Sequence, residues 1–388
     1  MQALSKSRKL ARVLKPPIIG DTNHGALPSL SQILHSPQWQ GQEAFFSQIS
    51  FFSGFSQGSY VQIPSVPVYS MTWGASFSTK AGSAESSPTE AVKELYDKML
   101  ESVNVKRSMP PNAWLWSLIE NCQNQDDIEL LFDILQNLRR FRLSNLHIHA
   151  NFNCNLCREI AKTCVRVGAL DFGKKTLCKH NVYGLSPSIG SAHHLLSYAQ
   201  DHKDLELMVE ILKLVTRNGL PLQPGTADIV FRICYDLNNW ELLTKYSKRF
   251  AKAGVKFRKT TFDTWMTFAA KIGDNKSLWE IEKKRFESFK HHTLASGFSC
   301  VKGLLLEHKP EDAAAVIEVL NQTLPDEKKS VIMVELQKLV NEWPLDVVKH
   351  QMGDDKGLAA ALNTDVTTMV THLQKTGLGA PLKDTIPI

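Results

Sequence analysis

The chain has 388 residues, 43% hydrophobic and 22% charged, with a formal net charge of +6. These values are ordinary for a folded protein, and no run approaches the roughly 20 apolar residues needed to cross a bilayer. Most of the positive excess lies in residues 1–80, where Lys6, Arg8, Lys9, Arg12, Lys15 and Lys80 face only Asp21 and Glu43; the remainder is close to neutral, and its bulk charge does not argue for nucleic acid.

Residues 1–80 read as an address. An amphipathic basic stretch from Ser5 to Leu14 leads into Ser-, Gly-, Pro-, Gln- and Phe-containing sequence with almost no acid, the composition of an organelle transit peptide. Gly74-Ala75-Ser76-Phe77-Ser78-Thr79 resembles the end of a mitochondrial presequence. Basic residues in the first dozen positions favour the mitochondrial matrix, with the plastid as the alternative. The competing reading is a tail with no targeting role.

Order is expected from Ser87. Ser87-Pro88-Thr89-Glu90 sets a cap residue, a proline at the first helical position and a glutamate at the third. Val92, Leu95, Tyr96, Met99 and Leu100 then recur at helical spacing, giving an N-terminal capping helix within residues 87–105. From Asn112 to about residue 324 the pattern becomes a series of helix pairs, each joined by a short polar turn. Ala113–Gln123 pairs with Ile128–Arg140, Phe152–Arg166 with Leu170–Lys179, and Ser191–Gln200 with Leu205–Arg217. Ala227–Asp236 pairs with Trp240–Lys252, Thr261–Lys271 with Ser277–Phe289, and Ser296–Glu307 with Ala313–Asn321. The second unit is longer, with extra residues around Leu146–Asn151, so the early spacing is nearer 42 before it settles to 35. Asp, Asn and Pro at the turns supply the capping chemistry of a helix restart.

Seven cysteines suit a reducing interior better than a disulfide framework. Cys154 and Cys157 form a C-x-x-C with Cys164, Cys178 and His180 downstream, but that spacing is not a finger's, and these residues read as small apolar packing groups between helices. Gly184, Gly219 and Gly254 stand 35 residues apart, each followed by an aliphatic residue. A period in this range marks a stacked helical repeat, and glycine after the second helix supplies the left-handed cap. Within 325–376, Val331–Glu342 and Leu358–Lys375 are expected as further helices, separated by Gly353-Asp354-Asp355 and followed by a loose tail, 377–388.

The stretch from Gly254-Val255-Lys256-Phe257 to Thr260-Thr261-Phe262-Asp263-Thr264-Trp265-Met266 resembles the junction of pentatricopeptide repeats, where Gly-Ile-x-Pro-Asp leads into Val-Thr-Tyr-Asn-Thr-Leu-Ile. Gly184-Leu185-Ser186-Pro187-Ser188 matches the first half of that junction more closely. The resemblance covers about Ala113–Asn321, as five or six degenerate units of a plant-type mitochondrial member. It implies an all-α, right-handed α-solenoid whose first helices line a groove that, in many members, reads single-stranded RNA one base per repeat. The implied base-facing residues of the first helices are Trp116, His193, Asp228 and Asp263; the repeat-end residues are Ser188, Gln223 and Arg258. None of these units carries the family's usual pairing, and aspartate brings negative charge towards an anionic ligand. The resemblance therefore predicts the scaffold without a legible code.

Two basic runs remain. Lys245, Lys248, Arg249, Lys252, Lys256, Arg258 and Lys259 are followed one repeat later by Lys283, Lys284, Arg285, Lys290 and His291-His292. Stacked repeats would set them side by side as an RNA-contacting stripe. The alternative is a solvated outer face interspersed with Glu241, Glu280, Glu282 and Glu287. Trp240, Trp265, Trp279, Phe262 and Phe286 are expected in the core rather than as base-stacking platforms.

The chain holds no Gly-rich phosphate loop, G-x-S-x-G or H-E-x-x-H, and neither an enzyme nor a cofactor or metal site is expected. Three functions compete: a scaffold of the mitochondrial ribosome touching rRNA and proteins, a free RNA-binding factor, and a protein–protein adaptor.

Overall fold

The computed structural model describes residues 87–143, 150–323, 326–350 and 356–378. The leader, residues 144–149 of the longer second unit, the 353–355 linker and most of the tail lie outside the described residues. Among those described are sixteen helices and no strand. They are α1 (Glu90–Asn104), α2 (Asn112–Asn121), α3 (Gln125–Leu143), α4 (Ala150–Val167), α5 (Leu170–Lys175), α6 (Ile189–Asp201), α7 (Leu205–Arg217) and α8 (Pro224–Asp236). The second half comprises α9 (Trp240–Lys252), α10 (Lys259–Ile272), α11 (Asn275–Ser288), α12 (Leu294–Leu306), α13 (Pro310–Thr323), α14 (Asp326–Asn341), α15 (Trp343–His350) and α16 (Lys356–Lys375).

One backbone event recurs every 35 residues from Gly168 onward. Gly168, Lys203, Asn238, Gly273 and His308 all take φ between 50° and 84°, each at the turn inside a helix pair. The amide that follows reaches back to a carbonyl of the finished helix: Asp204 to Ala199 at 2.8 Å, Asn239 to Cys234 at 2.8 Å, Asp274 to Ala269 at 3.0 Å and Lys309 to Leu304 at 3.0 Å. That bond closes a helix C-terminus around a left-handed residue. Asp204, Asn239 and Asp274 then cap the second helix, each accepting from an amide three residues on at 2.9 Å. The interval is thus already 35 from the α4–α5 turn, earlier than the sequence pattern suggests.

The return from second to first helix runs through Gly184, Gly219 and Gly254, with φ of 67°, 67° and 72°. The next first helices begin at Ile189, Pro224, Lys259 and Leu294. Their third positions carry Ser191, Thr226, Thr261 and Ser296, all buried. The hydroxyls of Thr226, Thr261 and Ser296 accept from the cap amides of Gln223, Arg258 and Thr293 at 3.4, 3.3 and 3.0 Å. A short hydroxyl here does the work of the glutamate in an ordinary capping box.

Two expectations at helix ends are corrected. The first helix starts at Glu90 with Thr89 as cap, not Ser87; the Thr89 amide and hydroxyl both donate to Asp127 at 2.8 Å, so a tertiary partner on α3 overrides the local box. Asp127 also accepts from the Gln123 amide, and these bonds hold its carboxyl below the usual range despite burial. The second helix of the second pair ends at Lys175 rather than Lys179.

Apolar residues at helical spacing fill three clusters of buried side chains, over α1–α5, α5–α12 and α12–α16. Each first helix packs on the next first helix, α4 on α6, α6 on α8, α8 on α10 and α10 on α12, whereas the second helices α5, α7, α9, α11 and α13 chiefly touch their own partners. The expected first pair is the exception, since α3 packs on α1 rather than on α2. The first helices therefore form the tighter layer. Across that layer lies a hairpin of α14 and α15, the latter not among the expected helices; its Pro344 sits at the second helical position, where the missing N–H costs nothing. α15 packs on α10 and α14 on α12. The buried Trp343 indole donates to the Ala270 carbonyl at 2.8 Å, satisfying an acceptor that the end of α10 leaves without an intrahelical partner. Lys302 on α12 lies beneath this hairpin near Glu335, Asp346 and Glu342; burial pushes its ammonium down while the carboxylates oppose that shift.

Candidate nucleic-acid interface

The ten basic residues expected to form a stripe separate into distinct environments. Lys245, Lys248 and Lys252 on α9, Lys256 beyond it and Lys283 on α11 are exposed. Arg249 is half-buried and donates to the Thr216 hydroxyl of α7, bridging neighbouring second helices. Lys259 stands over the Phe289 ring at 5.6 Å and Lys284 over the Trp265 ring at 5.4 Å. Arg258 pairs with Asp228 at 3.2 Å, across the layer of first helices. One member is wrongly placed by the sequence pattern: Arg285 is 2% exposed and cannot touch a phosphate in solution.

Arg285 is inside because α11 buries Leu278, Ile281, Glu282 and Arg285, a stripe at helical spacing. Its guanidinium donates to both Glu282 carboxylate oxygens, at 2.6 and 2.8 Å, and to the Phe289 and His291 carbonyls at 3.1 Å. A further contact reaches His292 Nε2 at 3.0 Å. Burial and the neighbouring guanidinium push the His292 imidazole down to about 3, so it is neutral. Glu282, His292 and Cys300 bring candidate metal-ligand atoms within 4.8 Å of one another, a grouping the sequence spacing does not suggest. Arg285 already supplies the cation between Glu282 and His292, and burial raises the Cys300 thiol well above its ordinary value. This is a buried ion pair rather than an open metal site. The C-x-x-C does not gather with Cys178 and His180; Cys157 is buried and donates to the Thr176 carbonyl at 3.2 Å.

Three of the four implied base-facing residues are engaged by the neighbouring repeat. His193 Nε2 meets the Thr226 hydroxyl at 2.8 Å. Asp228 accepts from the Thr261 hydroxyl, from Thr260 at 3.0 Å and from Arg258. Asp263 accepts from the Thr293 hydroxyl at 2.5 Å, and burial pushes its carboxyl up. Three positions 35 residues apart thus bond the entrance of the next first helix. Burial also pushes His193 and His194 down. A cleft of about 390 Å³ lies on this layer, lined by Gln200, Asp228, Ile229, Arg232, Thr260, Asp263 and Thr264.

The aromatic residues split as well. Phe262 and Trp265 are buried in an edge-on array with Phe231 and Phe257, Trp240 and Trp279 pack at its border, and Phe286 is exposed with Lys290 over its ring at 4.6 Å. Register also brings forward two cations that the basic runs do not include. Lys213 precedes Lys248 by 35 residues and Arg217 precedes Lys252 by 35, and both are exposed on α7.

These features define an all-helical protein of repeat-like architecture, with an exposed basic face on its second helices. No known family model matches the chain, and no curated protein does.

Proposed function

We propose that this chain is a non-catalytic helical-repeat scaffold that holds RNA by its phosphate backbone within a mitochondrial ribonucleoprotein, of which the mitochondrial ribosome is the best fit. The observation that carries the reading is the cluster of exposed lysines Lys245, Lys248 and Lys252 on one face of α9, with Lys256 and Lys283 beside it. Lysines free of carboxylate partners are suited to counterion release on a polyanion. The basic, acid-poor leader supports the mitochondrial address. The resemblance to pentatricopeptide repeats supports a right-handed solenoid of five or six units. The hydrogen bonds that engage His193, Asp228 and Asp263 favour a fixed structural part, contacting protein as well as RNA, over a free factor that reads bases.

Sedimentation of the tagged protein from mitochondrial extract tests this. Stoichiometric migration with one ribosomal subunit, surviving a salt wash, is the expected outcome. A small species that shifts on RNase treatment would move the reading to a free RNA-binding factor. A small species indifferent to RNase would move it to a protein adaptor.

A further inference from the structure

Building on the RNA reading above, we infer that the second-helix face of α7, α9 and α11 binds helical, base-paired RNA through a column of lysines: Lys213, Lys248 and Lys283. The three residues occupy one position in successive 35-residue units, and all are exposed. Arg217 and Lys252 lie four residues further along α7 and α9, and therefore on the same faces. The nearest acid on α7, Glu210, is drawn to Lys174 at 3.1 Å. On α11 the same register brings acids instead, Glu280 and Glu287 standing one turn to either side of Lys283 where α9 has Lys245 and Lys252, so the field is centred on α9 and weakens towards α11.

The choice of duplex follows from what this face offers. A flexible single strand must be ordered on binding, and stacking on exposed aromatic rings ordinarily offsets that cost. Here Trp265 and Phe262 are buried, Trp240 and Trp279 border the core, and the exposed Phe286 is covered by Lys290. Base edges find no free reader at His193, Asp228 or Asp263, which bond the next repeat. What remains is a row of point charges whose spacing is set by the stacked helices that carry them. Such a row matches a backbone whose phosphates are already fixed in space, as in A-form RNA, where recognition runs through shape and phosphates.

Fluorescence anisotropy with the full chain, using a 20-base-pair RNA duplex and the single strand of the same sequence, tests the inference. The duplex is expected to bind tighter by about tenfold or more, because its order is prepaid. In the triple variant Lys213→Ala, Lys248→Ala, Lys283→Ala, the slope of log affinity against log salt should fall by about 2.7, at about 0.9 per lost contact. Lys93→Ala, exposed on α1, is the control and should leave the slope unchanged; circular dichroism confirms that both variants fold. Equal or tighter binding of the single strand would overturn the duplex assignment while leaving the RNA reading intact. An unchanged slope in the folded triple variant would move the contact off this face. Failure of the wild-type chain to bind either RNA would remove both readings.

Discussion

Two stretches of the molecule occupy equivalent places in the repeat and are built by different means. In α7 and α9 the inward positions hold Leu212 and Val215, then Ser247 and Phe250; in α11 the same positions, 35 residues on, hold Glu282 and Arg285. The next second helix, α13, returns to Ile317 and Leu320. The fold therefore tolerates at one junction what it fills with hydrocarbon at its neighbours, provided the guanidinium finds two carboxylate oxygens and two backbone carbonyls. Geometry belongs to the repeat, while the chemistry at a given inward site is interchangeable as long as every buried polar atom is met.

The most severe way to break this comparison is to remove one partner. Arg285→Met should destabilise by about 3–5 kcal/mol, because it leaves Glu282 buried and uncompensated, and a chemical denaturation midpoint reads the loss. Importing the α9 solution, Glu282→Ser with Arg285→Phe, should instead be neutral or stabilising by about 1–4 kcal/mol. A double variant as damaged as the single one would show that the two junctions are not interchangeable.

Acid should separate the stretches next. His292 is held at about 3 in the fold against an ordinary 6.5, so the folded state stays neutral where the unfolded state takes up a proton. The stabilisation is complete above pH 6.5 and is lost as pH falls from 6.5 towards 3, by up to about 1.4 kcal/mol per unit. Between pH 7 and 5 this junction should cost the protein about 2 kcal/mol, and His292→Gln should flatten that dependence. An equally steep curve in the variant would place the acid sensitivity elsewhere.

The smallest effect sharpens the comparison from the repeat side. Lys203 holds a left-handed turn that Gly273 holds without strain. Lys203→Gly should raise stability by about 0.5–1 kcal/mol, the penalty of a side chain in that region less the added freedom of the unfolded glycine. A calorimetric melt that falls would mean that the Lys203 side chain itself supports the turn.

These cases also mark what could be read in advance. The pairing of helices from α4 onward and the 35-residue interval were legible because Gly184, Gly219 and Gly254 meet the same backbone demand with the same residue, whereas the first expected pair was not, since α3 packs on α1. The companion series was not, since Gly168, Lys203, Asn238, Gly273 and His308 meet theirs with four residue types, and the Schellman bond rather than composition imposes the conformation. Arg285 misled because Lys283-Lys284-Arg285 reads as one charged run, whereas a turn of 100° per residue sends the third member inward. Aligning it with Val215 and Phe250 would have exposed the error. Thr89 was hidden by a partner 38 residues away, and a local cap rule cannot see that distance. Lys213, isolated in an apolar run, becomes part of a basic face only once the helices are stacked.

The Trp343 bond carries a consequence for how the chain is made. Most packing here joins helices one or two elements apart, so each pair can close soon after it leaves the ribosome, with little loop entropy to overcome. The indole of Trp343 reaches back 73 residues to Ala270. This contact closes a much longer loop and requires α10 to be in place to receive it. Synthesis thus proceeds by addition from one end, and α15 arrives as a latch that fastens only after the row behind it is complete.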